Sequence, residues 1–296
     1  VVDAGNMTAA AAKLALAQPA LGQQIRLLEK ELDVALITRH SRGVTPTQAG
    51  ILLYERARKI LDDVEAAERD VRRLSSDRRD HLVLGVNPTL VLTLGPDLPV
   101  EARKELPDVT VSLVEERSPV LLDALESGQI NVSFLYNAPE RPKIERRAVM
   151  EEDLLLISAP DKALEGTSVS LAQALEYDLV IAGERGVIRQ IVEAEARRLG
   201  LRLRLAYEVH SVTSMKAMIA RGDAVSIMPW SLAAKELTDG TLMARRIDRP
   251  ALTWTLYLAR KIGAPPFLHE DEIMRYLDRI VERCIDKMQP YARAMR

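Results

Sequence analysis

The chain has one cysteine, Cys284, in 296 residues. A single thiol excludes an intramolecular disulfide framework and any metal site built from several cysteines. Histidine is nearly as scarce. The four present, His40, His81, His210 and His269, show no metal-ligand spacing to one another or to Cys284. No apolar run approaches the ~18 residues that a membrane span needs, and the first residues lack the charged-then-apolar order of a signal peptide. We therefore expect a cytoplasmic protein with no membrane partner. A nucleophile elbow GxSxG, a P-loop and a GxGxxG turn are all missing. His210 and Ser211 make no nucleophile–base pair, because neighbours on a strand face opposite ways. Neither catalysis nor a cofactor is expected. The formal net charge is only -2, so nucleic acid can be bound only through a local basic patch.

The composition, 47% hydrophobic and 28% charged, is that of a soluble globular protein, and the length suits two or three domains. The chain opens on Val1-Val2 with no methionine and inside an element, which reads as a trimmed start. Asn6 can cap a short alanine-rich helix, MTAAAAKLAL. A second helix begins near Gln18, with Pro19 in its first turn, where a missing N–H costs nothing. Leu21, Ile25, Leu28 and Leu32 recur at helical spacing and make one stripe expected to be buried. Only Ala15 to Ala17 separate the two helices, which suggests a helix-turn-helix. LITRHSRGVTPT then reads as two short strands around the turn from His40 to Gly43.

The wet face of the second helix carries Gln18, Gly22, Gln23 and Arg26. In a helix-turn-helix, residues near the start of the second helix meet base edges in the major groove. Gln can pair with both N6 and N7 of adenine, and Arg can bond guanine or a phosphate. Arg39 and Arg42 add positive charge, and the turn at Arg42-Gly43 can set a wing on the DNA backbone. Taken alone, the same face also reads as an ordinary solvated surface.

From Thr47 a long helix begins. Leu53, Ala57, Ile60, Val64, Ala67, Val71 and Leu74 keep the 3.5-residue period of a seam that joins two helices. Self-association through this seam follows. After Asp80, strands and helices alternate, which argues a parallel α/β sheet. The pattern restarts after about residue 160, so two α/β halves are expected. Gly183-Glu184-Arg185-Gly186 lies between a strand and a helix, and reads either as an anion-binding loop or as a plain turn.

GNMTAAAAKLALAQPALGQQIRLLEKELDVALITRHSRGVTPTQAG resembles the N-terminal winged helix-turn-helix of LysR-type transcriptional regulators. The landmarks are Ala10-Ala11, Leu14, Gln18-Pro19-Ala20-Leu21, Gln24-Ile25, Leu28-Glu29, Leu32, Val34, Leu36, Arg39, Gly43, Thr47 and Ala49-Gly50. GVNPT, LESGQINVSFLYN, EVHSVTSMKAMIARGDAVSIMP and LYLAR fall where the two-part effector domain of that family would have them. FLYNAP and HSRGVTPTQAG look most like the branch that includes nitrogen assimilation control regulators.

The resemblance implies an α/β protein with a winged helix-turn-helix over 1–50 and a dimerising linker helix over 51–80. A periplasmic-binding-protein-like effector domain follows. Its first subdomain spans 81–160 with 262–296, and its second 161–261. DNA contacts map onto Gln18, Pro19, Gly22, Gln23, Arg26, Arg42, Gly43 and Thr47. A small-molecule effector between the subdomains maps onto Pro88, Thr89, Leu90, Tyr136, Asn137, Gly183, Glu184, Ser211, Val212 and Thr213. Partners are double-stranded promoter DNA, the effector, a second copy or three more of the chain, and RNA polymerase. The chain departs from the family's pattern at Ala17, Gly22 and Gln23, where serine, serine and arginine are usual. It departs again at Asp33, in place of Gly, and at Asn131, in place of Asp. Those departures leave one alternative: a small-molecule-binding protein whose DNA-binding head is weakened or lost.

Overall fold

The computed structural model describes the chain apart from Asp3, Ser41, Arg42, 74–79, Pro96, 162–165, 184–185 and Arg296; at 39, 62–63, 65–70 and 72–73 it describes the backbone alone. There are two compact units, Val1–Ser75 and Ser76–Arg296.

In the first unit, α1 (Met7–Lys13) is capped by Asn6, whose side chain accepts the Ala9 N–H at 2.7 Å. The next helix, α2 (Gln18–Leu32), starts at Ala17 with no side-chain cap and carries Pro19 in its first turn. It stops at Asp33, which takes the left-handed conformation (φ 51°) that glycine adopts without strain. The small core holds Met7, Ala10, Ala11 and Leu21. The expected stripe along α2 is buried only at its start. Leu21 is buried and Ile25 half-buried, but Leu28 and Leu32 are 40% and 45% exposed. Length explains this: at 1.5 Å per residue, α1 spans about 10 Å and α2 about 22 Å. The hairpin β1 (Ile37–His40) and β2 (Gly43–Pro46) follows, with Ile37 opposite Pro46 and His40 opposite Gly43. Glu29 Oε1 accepts the N–H groups of Leu36 (2.8 Å) and Ile37 (3.2 Å), fastening β1 to α2. The long helix α3 (Gln48–Arg73) completes the unit.

The second unit begins with β3 (Asp80–Val86), α4 (Pro88–Leu94), α5 (Leu98–Glu105), β4 (Val109–Glu115), α6 (Ser118–Ser127) and β5 (Val132–Tyr136). β3 runs parallel to β4 and to β5. Gly128 ends α6 in the left-handed conformation, as the sequence suggests. Asn131 Oδ1 accepts the Val83 N–H at 2.7 Å, an acceptor that an aspartate there could equally supply.

The 15-residue β6 (Ile144–Ser158) then runs through both lobes. The second lobe holds β7 (Ser168–Ser170), α7 (Leu171–Ala174), β8 (Leu179–Ile181), α8 (Val187–Arg198), β9 (Leu205–Glu208), α9 (Val212–Ala220), β10 (Ser226–Pro229), α10 (Trp230–Thr238) and β11 (Met243–Arg249). The chain returns through β12 (Thr253–Lys261), α11 (Glu270–Met288) and β13 (Ala292–Ala294). α11 turns Ile273, Tyr276, Leu277, Ile280, Cys284 and Met288 into the main core.

The sheet is mixed, where the alternation of elements suggests a parallel one. β12 is antiparallel to β5 and β6, and β10, β11 and β13 are antiparallel to β6. The strands that break the pattern, IERRAVMEE and MARRIDR, put charged side chains at every exposed position but Met243 and lack an apolar run. The subdomain range 161–261 takes in β12, yet β12 pairs along β5 and the first part of β6. The return to the first lobe therefore precedes residue 253.

Candidate functional site

Two places combine the expected residues with suitable geometry: the start of α2 and the junction of the lobes. On α2, Gln18, Pro19, Gln23 and Arg26 are exposed. Gly22 is not. It is buried beside Leu21, so it belongs to the packed side of the helix rather than to the face open to a partner. The Arg26 Nε donates to Gly22 O at 3.3 Å, which lays the guanidinium along the helix.

Thr47 also has a structural task. Its hydroxyl donates to Ala35 O (2.7 Å) and accepts the Gly50 N–H (3.0 Å), capping α3. Gly43 sits half-buried at φ +138°, and a Cβ there would lie 2.9 Å from Gly5 O. Arg42 lies outside the described residues.

At the lobe junction, strand direction decides where the helix starts meet. Tyr136 at the end of β5 pairs with Leu256, which pairs with Met150 of β6. Pro229 at the end of β10 pairs with Leu154 of β6. The carboxyl ends of β5 and β10, one from each lobe, therefore meet across residues 150–154. Ligands in open α/β sheets sit beyond such ends, where helix N-termini offer N–H groups. The starts of α4 and α6 follow the carboxyl ends of β3 and β4; those of α8, α9 and α10 follow β8, β9 and β10.

The expected effector residues fare unequally. Pro88 is half-buried and Thr89 5% exposed, at the first turn of α4, which Asn87 caps through the Thr89 N–H. Leu90 is fully buried in the main core. Tyr136 is buried and stacks on Trp254 with ring centres 3.9 Å apart; its N–H donates to Ser118 Oγ at 3.1 Å.

Asn137 locks the end of β5 to β12. Its N–H donates to Thr255 O (2.8 Å) and its Oδ1 accepts the Thr255 N–H (2.6 Å), with φ 44°. Ser211 caps α9 through the Ser214 N–H and is exposed, as is Thr213, with Val212 half-buried. Gly183 lies under His210: a Cβ there would come within 2.2 Å of His210 Cε1. Glu184 lies outside the described residues. So Pro88, Thr89, Ser211, Val212 and Thr213 stand at helix starts, while Leu90, Tyr136 and Asn137 hold the frame.

The residue that sequence reasoning missed is Glu152. It is fully buried between the lobes, and its Oε2 accepts from Ser231 Oγ and Trp254 Nε1. Its neighbours Glu151 and Asp153 are acidic too, and no spacing singles it out. Among the described residues no group of three or more His, Cys, Asp and Glu could hold a metal ion. Burial pushes the Cys284 thiol up to about 12, which leaves it unreactive at neutral pH.

This is the build of a helix-turn-helix head followed by a two-lobe α/β binding domain, and sequence comparison agrees. Residues 1–51 match the model for bacterial regulatory helix-turn-helix proteins of the lysR family, and residues 75–271 match the LysR substrate binding domain. The chain belongs to the LysR family of transcriptional regulators.

It is 34% identical over 259 residues to the nitrogen assimilation regulatory protein nac of Klebsiella aerogenes, covering 87% of this chain and 84% of that protein. It is likewise 34% identical to the regulator TcbR of Pseudomonas sp. strain P51, covering 90% and 92%. Among solved structures, full-length CbnR complexed with its target DNA is similar at TM-score 0.67 and 27% identity, covering 96% of both chains. An OxyR mutant of Corynebacterium glutamicum shares the fold at TM-score 0.60 and 22% identity, covering 97% of this chain and 90% of that one. No helix among the described residues is long and apolar enough to cross a membrane.

Proposed function

We propose that this regulator reads double-stranded promoter DNA through the start of α2, and that a small molecule held between its lobes sets how it does so. The observation that carries the reading is the division of α2. Leu21 and Gly22 face inward, while Gln18, Pro19, Gln23 and Arg26 are exposed. The likeness to CbnR in complex with its target DNA supports a head of this kind on DNA. The alternative, a binding protein with a spent head, is not favoured. The head keeps its capped α1, its α2 and its hairpin despite Ala17 and Gln23.

Arg42 and Gly43 form the wing in this reading, beside a minor groove or a phosphate. Pro88, Thr89, Ser211, Val212 and Thr213, with Gly183 and Glu184, surround the effector. The α3 seam joins two copies, so that paired heads meet paired half-sites. The protein works on DNA in the cytoplasm, contacts RNA polymerase there, and carries out no catalysis, in keeping with relatives named as regulators.

Binding to fragments of promoter DNA tests the head. Gln18→Ala is expected to relax base preference at one position of the site, with a loss of about 1–3 kcal/mol for the preferred base. Arg42→Ala is expected to weaken all sequences alike and to lower the salt slope by about 1. Equal losses on every sequence from Gln18→Ala would remove Gln18 from base reading.

A further inference from the structure

One buried acidic side chain bonds one tryptophan of the chain and caps the helix that begins with the other. Trp254 donates its indole N–H to Glu152 Oε2 at 2.8 Å, and Trp230 precedes Ser231, whose N–H donates to Glu152 Oε1 at 2.9 Å. Ser231 Oγ adds a third bond, to Oε2 at 3.0 Å. Glu152 lies on β6 and Trp254 on β12, both in the first-lobe sheet at this point. Ser231 lies in the first turn of α10, which follows β10 of the second lobe and also packs on α4 of the first. The residue before α10, Pro229, offers no side-chain cap. The Glu152 carboxyl does that work from another element, and thereby links the lobes.

Among the described residues, the ionisable groups that face Glu152 are Tyr136 from β5, Cys284 from α11 and Asp153 from its own strand; none brings a positive charge. α4 contributes no ionisable side chain. Arg293 of β13 is bound to Glu151 and Asp153, Arg246 of β11 reaches Pro290 O and pairs with Asp153 at 3.8 Å, and Lys216 of α9 holds Glu236 of α10. Lys235 and Glu236 lie more than a turn beyond Ser231 along α10. Among the described residues an ionised Glu152 is therefore fully buried and without a cation.

A neutral carboxylic acid keeps every bond. Its carbonyl oxygen accepts the Ser231 N–H, and its hydroxyl donates to Ser231 Oγ while still accepting the Trp254 indole N–H. Burial raises this carboxyl from 4.5 to about 7, against the opposing pull of those donors.

We propose that Glu152 is a proton-operated latch between the lobes. Protonated, it ties α10 to β6 and β12. Ionised, it favours a more open arrangement in which water reaches the carboxylate. Linkage fixes the direction. The latched state binds the proton more tightly than an open or unfolded chain does. Its advantage is full below the ordinary carboxylate range and is lost as pH rises from 4.5 to about 7. This inference concerns the lobes alone and stands whatever DNA or effector the protein takes.

The test is tryptophan emission of the full chain, titrated between about pH 5.5 and 8.5. The expected result is one transition centred near neutral pH, with emission moving to longer wavelength on the alkaline side as water reaches the indoles. Glu152→Gln should abolish the transition. Ser231→Ala keeps the carboxyl but removes one of the bonds by which the protonated latch holds α10, and should move the midpoint to lower pH by about one unit. No transition in the wild type overturns the proposal, and so does an unchanged transition in Glu152→Gln. Should Glu152→Gln fail to fold, Ser231→Ala still decides: an unmoved midpoint overturns it as well.

Discussion

Replacing Gly50 with alanine is expected to disrupt the first unit and remove DNA binding, while the second unit keeps its fold. In a free helix the change would stabilise by about 0.5–1 kcal/mol. Here the sign reverses. A Cβ at Gly50 would lie 2.0 Å from Leu36 O and 2.9 Å from Leu36 C. Both are backbone atoms, so no side chain can turn aside.

The segment cannot simply slide, because Thr47 fastens it. Thr47 N–H donates to Leu36 O at 3.0 Å, its hydroxyl donates to Ala35 O, and Gly50 N–H donates to that hydroxyl. Overpacking of this kind costs about 1–3 kcal/mol, and more where backbone must move. The core that would absorb it holds Met7, two alanines and Leu21. We expect DNA affinity to fall more than about tenfold, a loss above about 1.4 kcal/mol. Circular dichroism melts should show the head unfolding at lower temperature, with the transition of the second unit unmoved. Wild-type DNA binding by Gly50→Ala would contradict this packing.

The double change Ile60→Glu with Val64→Glu is expected to split the oligomer. Ile60, Val64 and Val71 of α3 are 62%, 50% and 68% exposed, in the a/d spacing of a two-helix seam. Exposed apolar side chains at that period gain by burial against the same seam of a second copy, about 1.5–3 kcal/mol for each one fully covered. Glutamates at two neighbouring seam positions would have to be buried in like-charged pairs. Sedimentation velocity should show the dimer or tetramer replaced by monomer. DNA affinity should drop by a factor on the order of 100 or more, because the second head no longer binds as part of the same molecule. An unchanged sedimentation coefficient would move the self-association surface elsewhere.

The head was legible because its landmarks are local. A cap at Asn6, Pro19 at a helix start and the pairing of β1 with β2 each follow from a few neighbouring residues. The two α/β halves were legible from alternation for the same reason. What escaped depends on pairing between distant segments. β6 serves β12 and β13 with its first part and β10 and β11 with its last, and nothing in IERRAVMEEDLLLIS announces two sets of partners.

Site residues divide along the same line. Gln18, Gln23 and Arg26 could be placed on an open face from helical period alone. Gly22 could not be assigned to the packed side, because a glycine carries no hydrophobic signal. Thr47 looked free because its acceptor, Ala35 O, is twelve positions away. Glu152 is defined by Ser231 and Trp254, 79 and 102 positions along the chain.

Binding of the full chain to fragments of promoter DNA, measured at several salt concentrations, addresses the reading of α2 most directly. We expect preference for particular fragments, with the logarithm of affinity falling linearly against the logarithm of salt. For two heads neutralising six to ten phosphates, affinity should fall by about 10³–10⁵ between 50 and 200 mM salt. Affinity that is independent of salt, or equal on every fragment at every salt concentration, would contradict a head that reads DNA through Gln18, Gln23 and Arg26.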